Sequence, residues 1–146
     1  MSDVFTSFRK YCEKNLAVRE MVEPIFSFTK DNLINEKQNN LPSLEDLGLN
    51  NFEVDSRTAF PFSGGCLNAK DRVNYYLWES KKVNFYKKTR NGLLGKDYSS
   101  KFSAWLANGC ISPREIYWEI RNYENDIMKN QSTYWLSLIH ISEPTR

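Results

Sequence analysis

The chain has 146 residues, 40% of them apolar and 26% charged, with a formal net charge of +2. That length holds one domain with a core of its own, and the composition is too polar for a membrane span and too rich in aromatic residues for wholesale disorder. Cys12, Cys66 and Cys110 form no close pair, no CxxC and no Cys/His set, and the only histidine is His140, so reduced thiols, a soluble intracellular protein and no metal site are expected.

Ser2 or Asp3 is placed to cap a first helix in which Val4, Phe5, Phe8, Tyr11 and Cys12 recur at helical spacing to about Asn15. From Phe28 to Phe60 the periodicity dissolves into Asn, Gln, Ser and Pro, and only LPSLEDLGL, Leu41 to Leu49, is expected to pack. Long stretches of this kind are rarely interior to a compact domain, so residues 1–60 read as an interdomain connector with a short N-terminal helix. Ser63-Gly64-Gly65 then opens a second helix, with Cys66, Ala69, Val73, Tyr76 and Leu77 along a core face and Lys70, Asp71, Arg72 and Asn74 along the other. A third helix covers Lys82 to about Thr89 and is ended by Asn91-Gly92. A fourth runs from about Ser99 to Asn108, with Gly109 past its end. Ser112-Pro113-Arg114-Glu115 is a capping box, with Ser as cap, Pro at the first helical position and Glu at the third. It opens a fifth helix carrying Ile116, Ile120, Tyr123 and Ile127, a face in want of a partner. Residues 64–130 therefore read as all-α, with no alternating strand pattern.

The chemistry gathers in YKKTRNGLLGKDYSSKFSAWLANG, Tyr86 to Gly109. Lys81, Lys82, Lys87, Lys88, Arg90, Lys96 and Lys101 face one acid, Asp97, so this window carries +6 and the remainder about −4. Such a stripe suits an anionic partner, or the solvated surface of two short helices. Ser99, Ser100 and Ser103 stand at the expected start of the fourth helix, where free N–H groups, the helix dipole and Lys101 favour a phosphate or pyrophosphate. Plain capping is the other reading of the serines, and Asn91-Gly92 and Gly95 weigh against it by letting backbone approach a ligand closely. Tyr86, Tyr98, Phe102 and Trp105, interleaved with Lys87, Lys88 and Arg90, suit either a single nucleic-acid strand or a core. No Ser/His/Asp, Cys/His or paired-carboxylate set stands out for hydrolysis.

YKKTRNGLLGKDYSSKFSAWLANGCISPREIYWEI followed by NQSTYW resembles the start of the flavin-binding helical domain of the photolyase/cryptochrome family, specifically its cryptochrome DASH branch. DVFTSFRKYCEKN, LPSLEDLGL and FPFSGG resemble that branch too, so the likeness covers nearly all of Asp3 to Trp135 in a shared order. It implies a parent with an N-terminal α/β antenna domain and a C-terminal multihelical FAD-binding domain, whose first helices are residues 61–135. It implies FAD contacts, mainly at the phosphates, for Tyr86, Ser99, Ser100, Lys101, Phe102 and Ser103. Trp135 would stand at the edge of the flavin and substrate cavity, and Lys88 and Arg90 towards bound DNA. No catalytic residue is assigned.

The implied activity is that of a deoxyribodipyrimidine photolyase-type lyase, in which photoexcited reduced FAD donates an electron to a cyclobutane pyrimidine dimer flipped out of DNA, single strands being preferred. A methenyltetrahydrofolate antenna and a monomeric state are implied for the full-length protein. A blue-light receptor without repair activity, or a flavin-free basic helical module that binds nucleic acid, are the alternatives. The segment alone is expected to be inactive and to hold FAD poorly, with the apolar faces of its second and fifth helices unpartnered.

Ala104 stands where the family usually has proline, and Cys66 where it has glutamate after the glycine pair. After Trp135 the likeness stops: LSLIHISEPTR, residues 136–146, resembles the translation of a sequencing-library adapter, and His140 is discounted with it. Genomic DNA from independent material is therefore expected to give different codons after Trp135, and recovery of the same codons would overturn that reading.

Overall fold

A computed structural model describes residues 4–23, 25, 27–29, 41–50, 53–93 and 95–142, with side chains through residue 138. All regular elements among them are helical: α1 (Phe5–Asn15), α2 (Cys66–Asn74), α3 (Tyr86–Thr89), α4 (Ser103–Ala107), α5 (Pro113–Asp126) and α6 (Gln131–Ser142). The expected all-α class is what the structure shows. No helix among the described residues is long and apolar enough to cross a membrane.

The chain divides into two compact units, one made of residues 1–21 and 59–146, the other of residues 22–58. In the smaller unit, LPSLEDLGL forms a capped turn. Ser43 donates from its N–H and its hydroxyl to the Asp46 carboxylate, each at 2.8 Å. These bonds, the backbone N–H first, hold the Asp46 carboxyl below the usual carboxylate range. Gly48, at φ 71°, lets the chain turn back so that the Leu49 N–H reaches the Leu44 carbonyl at 2.8 Å. The turn does not pack as expected, because Leu41, Leu44, Leu47 and Leu49 are all exposed.

The larger unit has one core, in which Ala69, Val73, Tyr76 and Leu77 from α2 and its extension meet Ile116, Ile120 and Tyr123 of α5 and Leu136 of α6. The second and fifth helices therefore share a core, contrary to the expectation from sequence, while Ile127 at the end of the α5 face is exposed. Gly65 caps α2 at φ 95°, ψ 160°, a backbone region only glycine occupies comfortably. Cys66 follows it and is exposed rather than part of the core face. Past Asn74 the helix widens into a π turn, Tyr75–Glu79, closed by Ser80, whose N–H and hydroxyl both donate to the Tyr75 carbonyl at 2.8 Å. The Tyr76 hydroxyl is fully buried with no hydrogen-bond partner, and burial pushes its phenol pKa up.

The expected third helix is a 3₁₀ turn, Lys82–Phe85, running into α3. The fourth begins at Ser103, not Ser99, and ends in a Schellman motif. There Cys110 donates to the Trp105 carbonyl at 2.9 Å, Gly109 donates to Leu106 at 3.2 Å, and Gly109 has φ 68°. Phe60 and Phe62 of FPFSGG stack on Trp105 with ring centres 5.3 and 5.6 Å away, and the Trp105 indole N–H donates to the Ser63 carbonyl at 3.1 Å.

α5 starts as its sequence foretells, Ser112 Oγ accepting from the Glu115 N–H at 3.1 Å. The Glu115 carboxylate lies 3.7 Å from Lys70 Nζ. NQST is the cap of α6: Asn130 Oδ1 accepts from the N–H groups of Ser132 and Thr133 at 2.7 and 3.1 Å, and Thr133 Oγ1 accepts from the Asn130 N–H at 3.1 Å. Asn130 also donates to Asn84 Oδ1, and Asn84 to the Tyr123 hydroxyl, both at 2.8 Å. α1 disappoints its pattern. Ser2 and Asp3 lie outside the described residues, Val4 occupies the cap position without a side-chain bond, and only Cys12 is buried while Val4, Phe5, Phe8 and Tyr11 are exposed. Its hold on the unit is polar: Tyr134 donates to Glu13 at 3.2 Å, and Trp118 Nε1 donates to the Arg19 carbonyl at 2.8 Å.

Because Asn130 both caps a helix and bridges to Asn84, Asn130→Ala should destabilise the unit by about 2 kcal/mol, against about 1 kcal/mol for Ser112→Ala. Urea unfolding of each variant measures the difference, and equal losses would show the Asn84 link to be idle.

Candidate functional site

The residues of the expected phosphate site are organised by Arg72, whose charge predicts a place on the solvent face of α2. The guanidinium is buried, with 4% of the residue exposed. Nη1 meets Asp97 Oδ1 at 2.8 Å, Nε donates to the Ser100 carbonyl at 3.1 Å, and Nη2 donates to the carbonyls of Lys96 at 2.9 Å and Ser99 at 3.4 Å. The rings of Phe62, Tyr76 and Tyr75 surround it, their centres 4.7, 5.0 and 5.5 Å from the guanidinium carbon. A buried cation needs this many partners.

Residues 99–102 are consequently a loop, not the first turn of a helix. Lys101 has φ 63°, an uncommon conformation for a residue with a side chain, and Phe102, not a serine, precedes α4 without a side-chain cap. Capping is thus not what the serines do. Ser100 is buried, Ser99 and Lys101 are half-buried and Ser103 is exposed. Among the described residues, the Ser99 and Ser100 hydroxyls and the Lys101 N–H have no hydrogen-bond partner. Free hydroxyl and N–H donors on a loop that also carries an ammonium in no ion pair are the group types that phosphate oxygens accept from.

α3 stops at Thr89, ahead of Asn91-Gly92 as expected, and a Cβ at Gly92 would lie 2.6 Å from Tyr98 Cδ2, so the glycine makes room for the Tyr98 ring. Thr89 ties the same segment down, its hydroxyl donating to the Tyr98 carbonyl at 2.7 Å.

Tyr86 is buried at the start of α3, and Phe102 packs edge-on to Tyr76 with ring centres 5.9 Å apart. Trp105 is core as well, so of the four interleaved aromatics only Tyr98 is exposed. Trp135, half-buried on α6, is surrounded by cations, with Arg9 at 5.1 Å and Lys87 and Arg90 each at 5.7 Å from the ring centre. Arg90 also lies 5.9 Å from the Tyr86 ring centre, joining Tyr86, Arg90 and Trp135 in one cluster. Lys88 points elsewhere. It lines a groove of about 440 Å³ with Lys82, Lys96 and the exposed rings of Phe85 and Tyr98.

Sequence reasoning missed Arg72 and Asp97. The signal was present: Arg72 follows Ala69 by three and precedes Tyr76 by four, so helical period puts it on the apolar stripe.

Similarity to known proteins runs along nearly the whole chain. No family model matches it. A cryptochrome DASH of Xenopus laevis is 45% identical over 142 residues, covering 93% of this chain and 26% of that protein. A chloroplastic/mitochondrial cryptochrome DASH of Arabidopsis thaliana is 41% identical over 136 residues, covering 93% and 23%. The crystal structure of a Synechocystis sp. PCC6803 cryptochrome superposes with a TM-score of 0.74 at 38% identity, covering 96% of this chain and 29% of that one. This chain thus spans about a quarter of the length of the curated relatives it matches. On sequence and fold together it belongs to the photolyase/cryptochrome family of flavoproteins, in the cryptochrome DASH branch.

Proposed function

We propose that this segment holds the phosphates of FAD in a light-dependent protein that repairs cyclobutane pyrimidine dimers, preferring single-stranded DNA. The observation that supports it best is the loop of residues 99–101, in which, among the described residues, the Ser99 and Ser100 hydroxyls and the Lys101 N–H have no hydrogen-bond partner and the Lys101 ammonium is in no ion pair. When bound, reduced FAD supplies the photoexcited electron that splits the dimer.

The residues of this chain bind and orient. Ser99, Ser100, Lys101 and Ser103 would hold phosphate oxygens, while Tyr86 and Phe102 pack the wall behind them. Trp135, flanked by Arg9, Lys87 and Arg90, would border the flavin and its substrate. Lys88 and Arg90 would meet strand phosphates, and the groove beside Lys88 adds Lys82 and Lys96 with two exposed rings for base stacking. A methenyltetrahydrofolate antenna belongs to the proposal for the complete protein, and no residue of this segment is assigned to it.

The complete protein, reconstituted with FAD, should remove dimers from illuminated single-stranded oligonucleotides. Full flavin occupancy without light-dependent repair would leave a blue-light receptor, and failure to take up flavin would leave a nucleic-acid-binding module. Lys88→Ala should lower the slope of log affinity against log salt for a single strand by about 0.7 while FAD binding stays unchanged. An unchanged slope would remove Lys88 from the DNA face.

A further inference from the structure

Arg72 lies behind the phosphate loop, and its geometry dictates which way that loop's peptides face. In a trans peptide the C=O of one residue and the N–H of the next point in opposite directions. Arg72 draws the carbonyls of Ser99 and Ser100 inwards to its Nη2 and Nε. The N–H groups of Ser100 and Lys101 are therefore turned away from the guanidinium. Asp97, bound to Nη1 at 2.8 Å, balances the buried charge so that the cation stays in place. Lys101, at the loop's end, has a positive φ of 63°.

We propose that Arg72 is a positioning residue for the flavin dinucleotide: it touches no ligand, but aims two successive N–H groups at the pyrophosphate by anchoring the carbonyls behind them. This rests on the reading of residues 99–101 as the phosphate-holding loop. A lysine at position 72 keeps the charge beside Asp97 but lacks the planar fork that serves a carboxylate and three carbonyls at once. The loss on substitution should therefore fall on the phosphates alone.

The experiment compares FAD with riboflavin, which has the same ring system and no phosphate, as ligands of the complete protein and its Arg72→Lys variant. Arg72→Lys should weaken FAD by about tenfold or more and leave riboflavin within about twofold. Hydrogen exchange at the amides of residues 97–101 should quicken in the same variant. Asp97→Glu, which keeps both charges and shifts one anchor, should show a smaller loss of the same kind, and it provides the measurement should Arg72→Lys fail to fold. Equal losses for both ligands, or an unchanged preference for FAD, would overturn the role of Arg72. If the unmodified protein binds FAD no more tightly than riboflavin, the phosphate-loop reading itself fails, and that outcome is separate from the first.

Discussion

One buried guanidinium sets the shape of the region where this chain's chemistry would occur. Arg72 sits with four hydrogen-bond acceptors and three aromatic rings around it, and only Asp97 to balance its charge. Breaking a buried pair of this type costs about 3–5 kcal/mol, because the remaining partner keeps an unpaired charge. The loop of residues 96–100 thus has little freedom while α2 is folded. FPFSGG is drawn into the same arrangement, since Phe62 lies over the guanidinium and also stacks on Trp105. A motif whose Ser63-Gly64-Gly65 opens α2 is, in the folded chain, also one wall of the cation's cage.

A second polar system holds the far side of the core. Glu124 is buried, yet it accepts from Thr133 Oγ1 at 2.7 Å and from Arg121 at 2.7 Å, fixing α6 to α5. Asn130 and Asn84 extend the connection to the 3₁₀ turn, and the Lys87 N–H donates to Ser132 Oγ at 3.1 Å. These bonds bring the start of α3 against α6, so Lys87 and Arg90 reach the ring of Trp135. The pairing of cations with Trp135 is therefore a consequence of helix capping several residues away, and the NQSTYW motif has a structural reason for its first four letters independent of any ligand.

What could be read in the sequence was whatever short-range physics decides. Ser112 caps, Gly109 closes α4 and Gly65 turns into α2 because each depends on residues within one helical turn. The start of α4 could not be read in this way. Serines at positions 99 and 100 have the chemistry of caps, but the Arg72 fork takes their carbonyls from 28 residues upstream in the case of Ser100, and helix bonds are lost there. α1 failed for the opposite reason: its periodicity is real, but the faces it offers find little to cover them among the described residues, and polar bonds from Tyr134 and Trp118 do the holding. Of the candidate site, residue types were legible and their division was not. Lys88 and Arg90, two positions apart, have different neighbours, the one Phe85 and Tyr98 along a groove, the other Tyr86 and Trp135.

The pairing of Arg72 with Asp97 also changes the electrostatics of the site. From sequence, Asp97 is the one acid that offsets seven cations between Lys81 and Lys101. In the fold that carboxylate is committed to a cation from outside the window, and among the described residues none of the seven stands in an ion pair. Charges this close to one another repel unless an anion lies among them. The window is therefore more positive than its formal charge suggests, and an anionic ligand beside any of these side chains meets a cation that is not already engaged in an ion pair. Such a surface favours phosphates over neutral groups before any specific hydrogen bond is made, and salt weakens that preference because the cations are exposed or half-buried.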